Sequence, residues 1–97
     1  MTNPVTPIGG LVFQTPATPG TPIDALPKML TGGYINNPFT ATELLYVDPT
    51  KPATIGSNGT SMALRPGQTF YVIPNSTHPV SVASPNANHQ FVAVRWT

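Results

Sequence analysis

Proline constrains this chain more than any other residue, with 13 among 97 positions and six of them (Pro4, Pro7, Pro16, Pro19, Pro22 and Pro27) inside residues 1–31. Each holds φ at about −65°, removes a backbone donor and steers the preceding residue towards extended conformations. Residues 1–31 are therefore expected as an extended N-terminal arm of polyproline-like or irregular backbone, ahead of a folded body over residues 32–97. The arm is not hydrophilic: Val5, Ile8, Leu11, Val12, Phe13, Ile23 and Leu26 are spread along it, followed by Met29 and Leu30. Apolar side chains on a segment that cannot form its own core gain burial by lying on another surface, which makes these residues candidate contacts to a partner. Packing of the arm on its own body, or disorder, are the other two readings.

Two short helical signals interrupt this pattern. Thr21-Pro22-Ile23-Asp24 combines a capping Thr, a Pro suited to the first helical position and an Asp for the first turn. Thr40-Ala41-Thr42-Glu43 has the spacing of a capping box. Pro27 cuts the first short, and neither is long enough to alter the fold class. From Gly32 onward, β-prone runs alternate with turn residues, as they do in an all-β sandwich or barrel. Strands are expected over 34–36, 44–47, 53–55, 60–64, 68–73, 79–83 and 90–96. Among the dividers, Ser57-Asn58-Gly59 suits a tight hairpin, and Arg65-Pro66-Gly67-Gln68 places Pro and Gly where a type II turn needs them. No segment is both long and 3.6-periodic, so the fold class is all-β: a small antiparallel β-sandwich or barrel, with a jelly roll among the candidate arrangements.

Alternation assigns faces within these runs. Met62 and Leu64 oppose Ser61 and Ala63, Val80 and Val82 oppose Ser81, and Val92, Val94 and Trp96 oppose Ala93 and Arg95. Phe70-Tyr71-Val72-Ile73 is apolar on both faces, which suits a central strand beneath the arm or a strand touching a neighbouring subunit, and the second is expected. A body of about 65 residues buries only about 60% of its unfolded surface and is marginal alone, so a homodimer or homotrimer is expected to complete it.

Charge narrows the partners. Lys28, Lys51, Arg65 and Arg95 against Asp24, Glu43 and Asp48 leave a net charge of +1, too little to hold a phosphate backbone, so no nucleic acid is expected. The chain has no cysteine, hence neither a disulfide framework nor a thiolate metal site. No apolar run approaches the roughly 20 residues that cross a bilayer. Met1-Thr2-Asn3-Pro4-Val5 has neither a basic region nor an unbroken apolar run, so the product is expected to stay where it is made.

Chemistry is thinly represented. His78 and His89 stand in loops beside turn formers, where local bonding to backbone is the expected role, and three carboxylates give them little with which to close a metal site. Ser76, His78 and Asp48 can be drawn as a hydrolytic set, but no nucleophile-elbow sequence supports it. Asp24, Glu43 and Asp48 would have to converge by folding to act as paired carboxylates. No enzymatic activity, metal or cofactor is expected. Asn58-Gly59-Thr60 and Asn75-Ser76-Thr77 match the glycosylation sequon and read as turns. Gly9-Gly10 and Gly32-Gly33 are followed by no helix that could cradle phosphate, and read as hinges around the arm. Tyr34, Tyr46, Tyr71 and Trp96 could line a sugar-binding face, although rings at strand positions more often serve core or interface.

The run Leu45-Tyr46-Val47-Asp48-Pro49, with Asn58-Gly59-Thr60-Ser61, Leu64-Arg65-Pro66-Gly67-Gln68, Pro79-Val80-Ser81-Val82 and the closing Phe91-Val92-Ala93-Val94-Arg95-Trp96, resembles small virion proteins of tailed bacteriophages. The resemblance covers residues 32–97 by pattern and the arm by composition. Within that group the nearest role is capsid decoration, by proteins also called cement or auxiliary head proteins. It implies a non-enzymatic structural protein, made in the host cytoplasm and placed on the capsid exterior, that binds across major capsid protein subunits and strengthens the shell. It further implies contact to the capsid through the arm and self-association of the body, here assigned to Phe70, Tyr71, Val72 and Ile73. The runner-up is a receptor- or glycan-binding head-fibre or tail module that uses Tyr and loop Asn residues. Such a module needs an exposed aromatic platform, whereas decoration through the arm needs apolar arm residues buried on another chain.

Overall fold

The computed structural model describes residues 7–27, 31–56, 61–74 and 77–96, with side chains from residue 14 onward. Within these residues the chain is all-β, with eight strands: β1 (Pro7–Gln14), β2 (Ile23–Leu26), β3 (Gly33–Asn36), β4 (Leu45–Asp48), β5 (Met62–Leu64), β6 (Thr69–Val72), β7 (Val80–Ala83) and β8 (Gln90–Trp96). They form two antiparallel sheets, sheet 1 in the order β1-β8-β3-β6 and sheet 2 in the order β2-β7-β4-β5.

The pairing has a simple origin. The ladders β1·β8, β2·β7, β3·β6 and β4·β5 join strands counted inwards from both ends of the chain, as in one long hairpin folded back between β4 and β5. Rolling that hairpin up brings β3 beside β8 and β4 beside β7. Every connection except β4 to β5 then crosses from one sheet to the other. This is the strand order of a jelly roll, which buries the inner face of each sheet against the other.

The segment expected as an arm enters both sheets. β1 runs along β8 and β2 along β7, each at the edge of its sheet. Proline punctuates these strands instead of breaking them: Pro7 opens β1, Pro16 and Pro19 lie in the connection, and Pro22 and Pro27 flank β2. An edge strand has one row of backbone groups outside the ladder, so it tolerates prolines at its ends. The expected helix at 21–24 is replaced by β2, because pairing of Ile23 with Val82 and Asp24 with Ser81 outweighs a weak local cap. The capping-box segment likewise makes a turn, closed by the Ala41 N–H on the Pro38 carbonyl at 2.9 Å.

The core is built from Ile35, Val72, Phe91 and Ala93 of sheet 1 and Leu26, Leu45, Val47, Leu64, Val80 and Val82 of sheet 2. On β8 the alternation holds, but Phe91 and Ala93 form the core side, whereas Val94 pairs with Tyr34 on the outer face. β8 is apolar on both faces, so alternation alone does not tell which face is inside. Met62 is 43% exposed although Leu64 is buried, because β5 is an edge strand that begins outside the core.

The run 53–55 is not a strand. It crosses the outer face of sheet 2, where the Ala53 N–H donates to Ser81 Oγ at 2.9 Å and the Thr54 N–H to Ser61 Oγ at 3.0 Å. Serine hydroxyls thus replace a ladder, and all four residues of β7 are buried, Ser81 included. The expected turn at Arg65-Pro66-Gly67-Gln68 is present: Gly67 has φ +89° and the Gln68 N–H donates to the Arg65 carbonyl at 3.0 Å. The hairpin expected at 57–59 lies outside the described residues.

Candidate functional site

Sheet 1 carries the feature that best suits recognition. Antiparallel register places Tyr34 of β3 opposite Tyr71 of β6 and Val94 of β8, so side chains of three adjacent strands share the outer face. The Tyr34 ring lies 5.5 Å from that of Trp96 and 6.2 Å from that of Tyr71, tilted by 56° and 58° respectively. These are tilted contacts, between stacked and edge-to-face, in which each ring packs on its neighbour. The tilts turn the row into a trough of about 500 Å³, lined by Tyr34, Asn36, Thr69, Tyr71, Val92 and Trp96. Tyr46, the fourth ring singled out from the sequence, belongs to β4 of sheet 2 and takes no part.

At the foot of the trough, Asn36 Nδ2 donates to Thr69 Oγ1 at 3.0 Å and to the Gln68 carbonyl at 3.2 Å. Both amide protons are spent, so Asn36 Oδ1 stays an acceptor and the Thr69 hydroxyl proton stays a donor.

The four residues expected at a self-association surface divide by strand pleat. Phe70 packs against the core and Val72 is part of it, whereas Tyr71 and Ile73 are 69% and 76% exposed. Among the described residues β6 is an edge strand of sheet 1, and beside it a depression of about 330 Å³ is lined by Pro49, Phe70, Val72, Ile73 and His78.

The expected capsid-binding residues are scattered. Leu26 is 6% exposed in the core and Ile23 packs against it, which corrects their assignment to an external partner: β2 needs them to close sheet 2 over sheet 1. Ile8, Leu11, Val12 and Phe13 lie on β1, and Val5 falls outside the described residues.

The chain matches no family model, no curated protein and no solved structure.

The titratable residues do structural work where they are buried. His89 was expected to bond locally, yet it joins distant segments. Its Nε2 lies 2.7 Å from Asn37 Oδ1, its Nδ1 3.1 Å from Ser84 Oγ, and its backbone N–H donates to Thr15 Oγ1 at 2.8 Å. Asn37 Nδ2 donates to the Glu43 and Leu64 carbonyls, which fixes Oδ1 as the acceptor and Nε2 of His89 as the protonated nitrogen. Burial holds this imidazole below the ordinary histidine range, and the Glu43 charge opposes it only in part.

Asp48 is buried, and both carboxylate oxygens are engaged. Oδ1 accepts from the Thr50 N–H and hydroxyl and from the Lys51 N–H, and Oδ2 from Lys51 Nζ at 3.0 Å and Ser61 Oγ at 2.9 Å. Burial pushes this carboxyl up, but the bonds from Thr50, Lys51 and Ser61 outweigh it and hold it well below the usual carboxylate range. Its first-turn partners make an Asx-turn that ends β4. Of the drawn hydrolytic set, Ser76 lies outside the described residues and His78 is exposed beside Thr50 and Lys51. Asp24 lines the same shallow depression as His78, and Glu43 stands in the loop before β4.

Gly32-Gly33, expected as a hinge, is a close-approach site. Gly32 has φ +81°, and a Cβ on Gly33 would lie 2.0 Å from the Val94 carbonyl oxygen. Gly9-Gly10 coincides with the register shift of β1 against β8, where a β-bulge needs small residues.

Proposed function

We propose that this chain is a non-enzymatic structural protein of a tailed-phage virion, a capsid decoration protein that self-associates and binds across major capsid protein subunits on the shell exterior. The observation that carries the reading is the β6 edge of sheet 1. Among the described residues β6 offers a row of backbone donors and acceptors outside the ladder, beside exposed Tyr71 and Ile73, and it continues into the apolar depression against Pro49 and His78. Such an edge invites strand addition or apolar docking unless it is covered. Jelly rolls recur in viral capsid proteins, which is a fold-level analogy in favour of the same reading. The contact surface is assigned to the body, since Ile23 and Leu26 serve its own core.

Sedimentation of the purified chain, alone and with expanded capsids of the encoding phage, tests this. The wild-type chain is expected to form a discrete oligomer and to pellet with capsids, and Ile73→Glu to lose both properties while keeping its β-content. A wild-type chain that stays monomeric and leaves capsids bare would overturn the reading.

A further inference from the structure

We propose that the trough on the outer face of sheet 1 is a binding site for a neutral oligosaccharide, with Tyr34, Tyr71 and Trp96 as stacking surfaces and the Asn36–Thr69 pair as the polar anchor. The claim rests on the trough alone and does not depend on a place in a virion.

Three properties select this ligand class. First, the rings offer apolar faces with negative quadrupoles, which attract the C–H-rich faces of a pyranose, and their mutual contacts hold them in position before any ligand arrives. Second, Asn36 Oδ1 and the Thr69 hydroxyl proton sit side by side as one acceptor and one donor, because the bond between the two residues consumes the complementary atoms. Adjacent sugar hydroxyls present the matching donor and acceptor, each hydroxyl being able to play either part. Third, none of the described residues that line the trough is charged, so they offer no pairing for a phosphate, a sialic acid or a uronate.

Extent favours an oligosaccharide over a single sugar. The row crosses β8, β3 and β6, and adjacent strands stand about 4.8 Å apart, so the rings span about 10 Å. Among the described residues β6 is the edge strand at that end of the row, and its Tyr71 is 69% exposed and so free to meet a chain extending beyond it.

Trp96 is the only tryptophan, which makes its fluorescence a reporter confined to the site. The full chain is titrated with glucose, with neutral trisaccharides (maltotriose, cellotriose, mannotriose and chitotriose) and with trigalacturonate. At least one neutral trisaccharide is expected to give a saturable change, bound at least tenfold more tightly than glucose, with no response to trigalacturonate. Tyr71→Ala and Asn36→Ala, both at solvent-accessible positions, are expected to weaken binding at least tenfold with melting temperature little altered for Tyr71→Ala. No saturable change with any neutral trisaccharide overturns the proposal. So does equal binding of trigalacturonate or glucose, or binding left unchanged by both substitutions. A fluorescence change that follows protein concentration in place of sugar also overturns it, and marks the face as a contact between copies.

Discussion

His89 Nε2 donates to Asn37 Oδ1 across 2.7 Å inside the sandwich, and the same imidazole accepts from Ser84 through Nδ1. This arrangement is complete only for the neutral ring: a proton on Nδ1 would face Ser84 Oγ and displace the hydroxyl proton that now points at it. The folded pKa is therefore depressed relative to the unfolded value of about 6.5, and below that pH the unfolded chain binds more protons. The resulting stability is present in full above about pH 6.5 and is lost as pH falls towards the lowered folded value.

Denaturant titrations from about pH 7.5 down to about pH 5 are expected to show this loss. His89→Phe keeps a planar ring, somewhat larger than imidazole, but strands Asn37 Oδ1 and the Ser84 hydroxyl, costing about 2–3 kcal/mol at neutral pH. Its stability is expected to be flatter over the same range. An unaltered slope would place the pH dependence elsewhere.

Asp48 has the same sign at lower pH. Its stabilisation is present above the unfolded value of 3.8 and is lost on further acidification, as its oxygens must release Thr50, Lys51 and Ser61 when protonated. Asp48→Asn is expected to cost about 1–3 kcal/mol in thermal unfolding at pH 7. Lys51→Met is expected to cost less than about 1 kcal/mol, because the Lys51 side chain is 43% exposed and solvent screens the pair.

Gly33→Ala would press a methyl group into the Val94 carbonyl at 2.0 Å, against backbone that cannot rotate away. A loss of about 2–4 kcal/mol is expected, measured as a lowered denaturation midpoint, with the tilt between Tyr34 and Trp96 disturbed. Stability equal to wild type would mean that β3 and β8 separate readily enough to admit the methyl group.

Leu26→Ala separates an arm from a core strand. In the core it should remove about 2–5 kcal/mol from the isolated protein. On an arm that touches only a partner, the same change would leave the isolated protein unaffected.

The all-β class was legible because its signals are local. Period-two alternation marked β5, β7 and β8, a β-prone apolar run marked β6, and Pro66-Gly67 specified its turn within four residues, where one φ of +89° decides the geometry. Tyr34, Tyr71 and Trp96 were legible as candidate rings, though Tyr46 could not be told from them, since all four occupy alternating strand positions. The proline-rich segment misled for a physical reason: local rules register that proline ends a helix, and say nothing of an edge ladder available from β7 or β8.

The sequence by itself determined where strands can start and stop, that no long helix can form, and that charge is scarce, since each of these depends on residues a few positions apart. Only the tertiary structure decided which strands pair, which face of β8 is inside and which side chains meet. Thr15 and His89 bond across 74 positions, and Asn37 and His89 across 52. Contacts of that separation exist only after the hairpin has rolled up. The aromatic trough is of the same kind, since its rings come from three strands brought side by side by the roll.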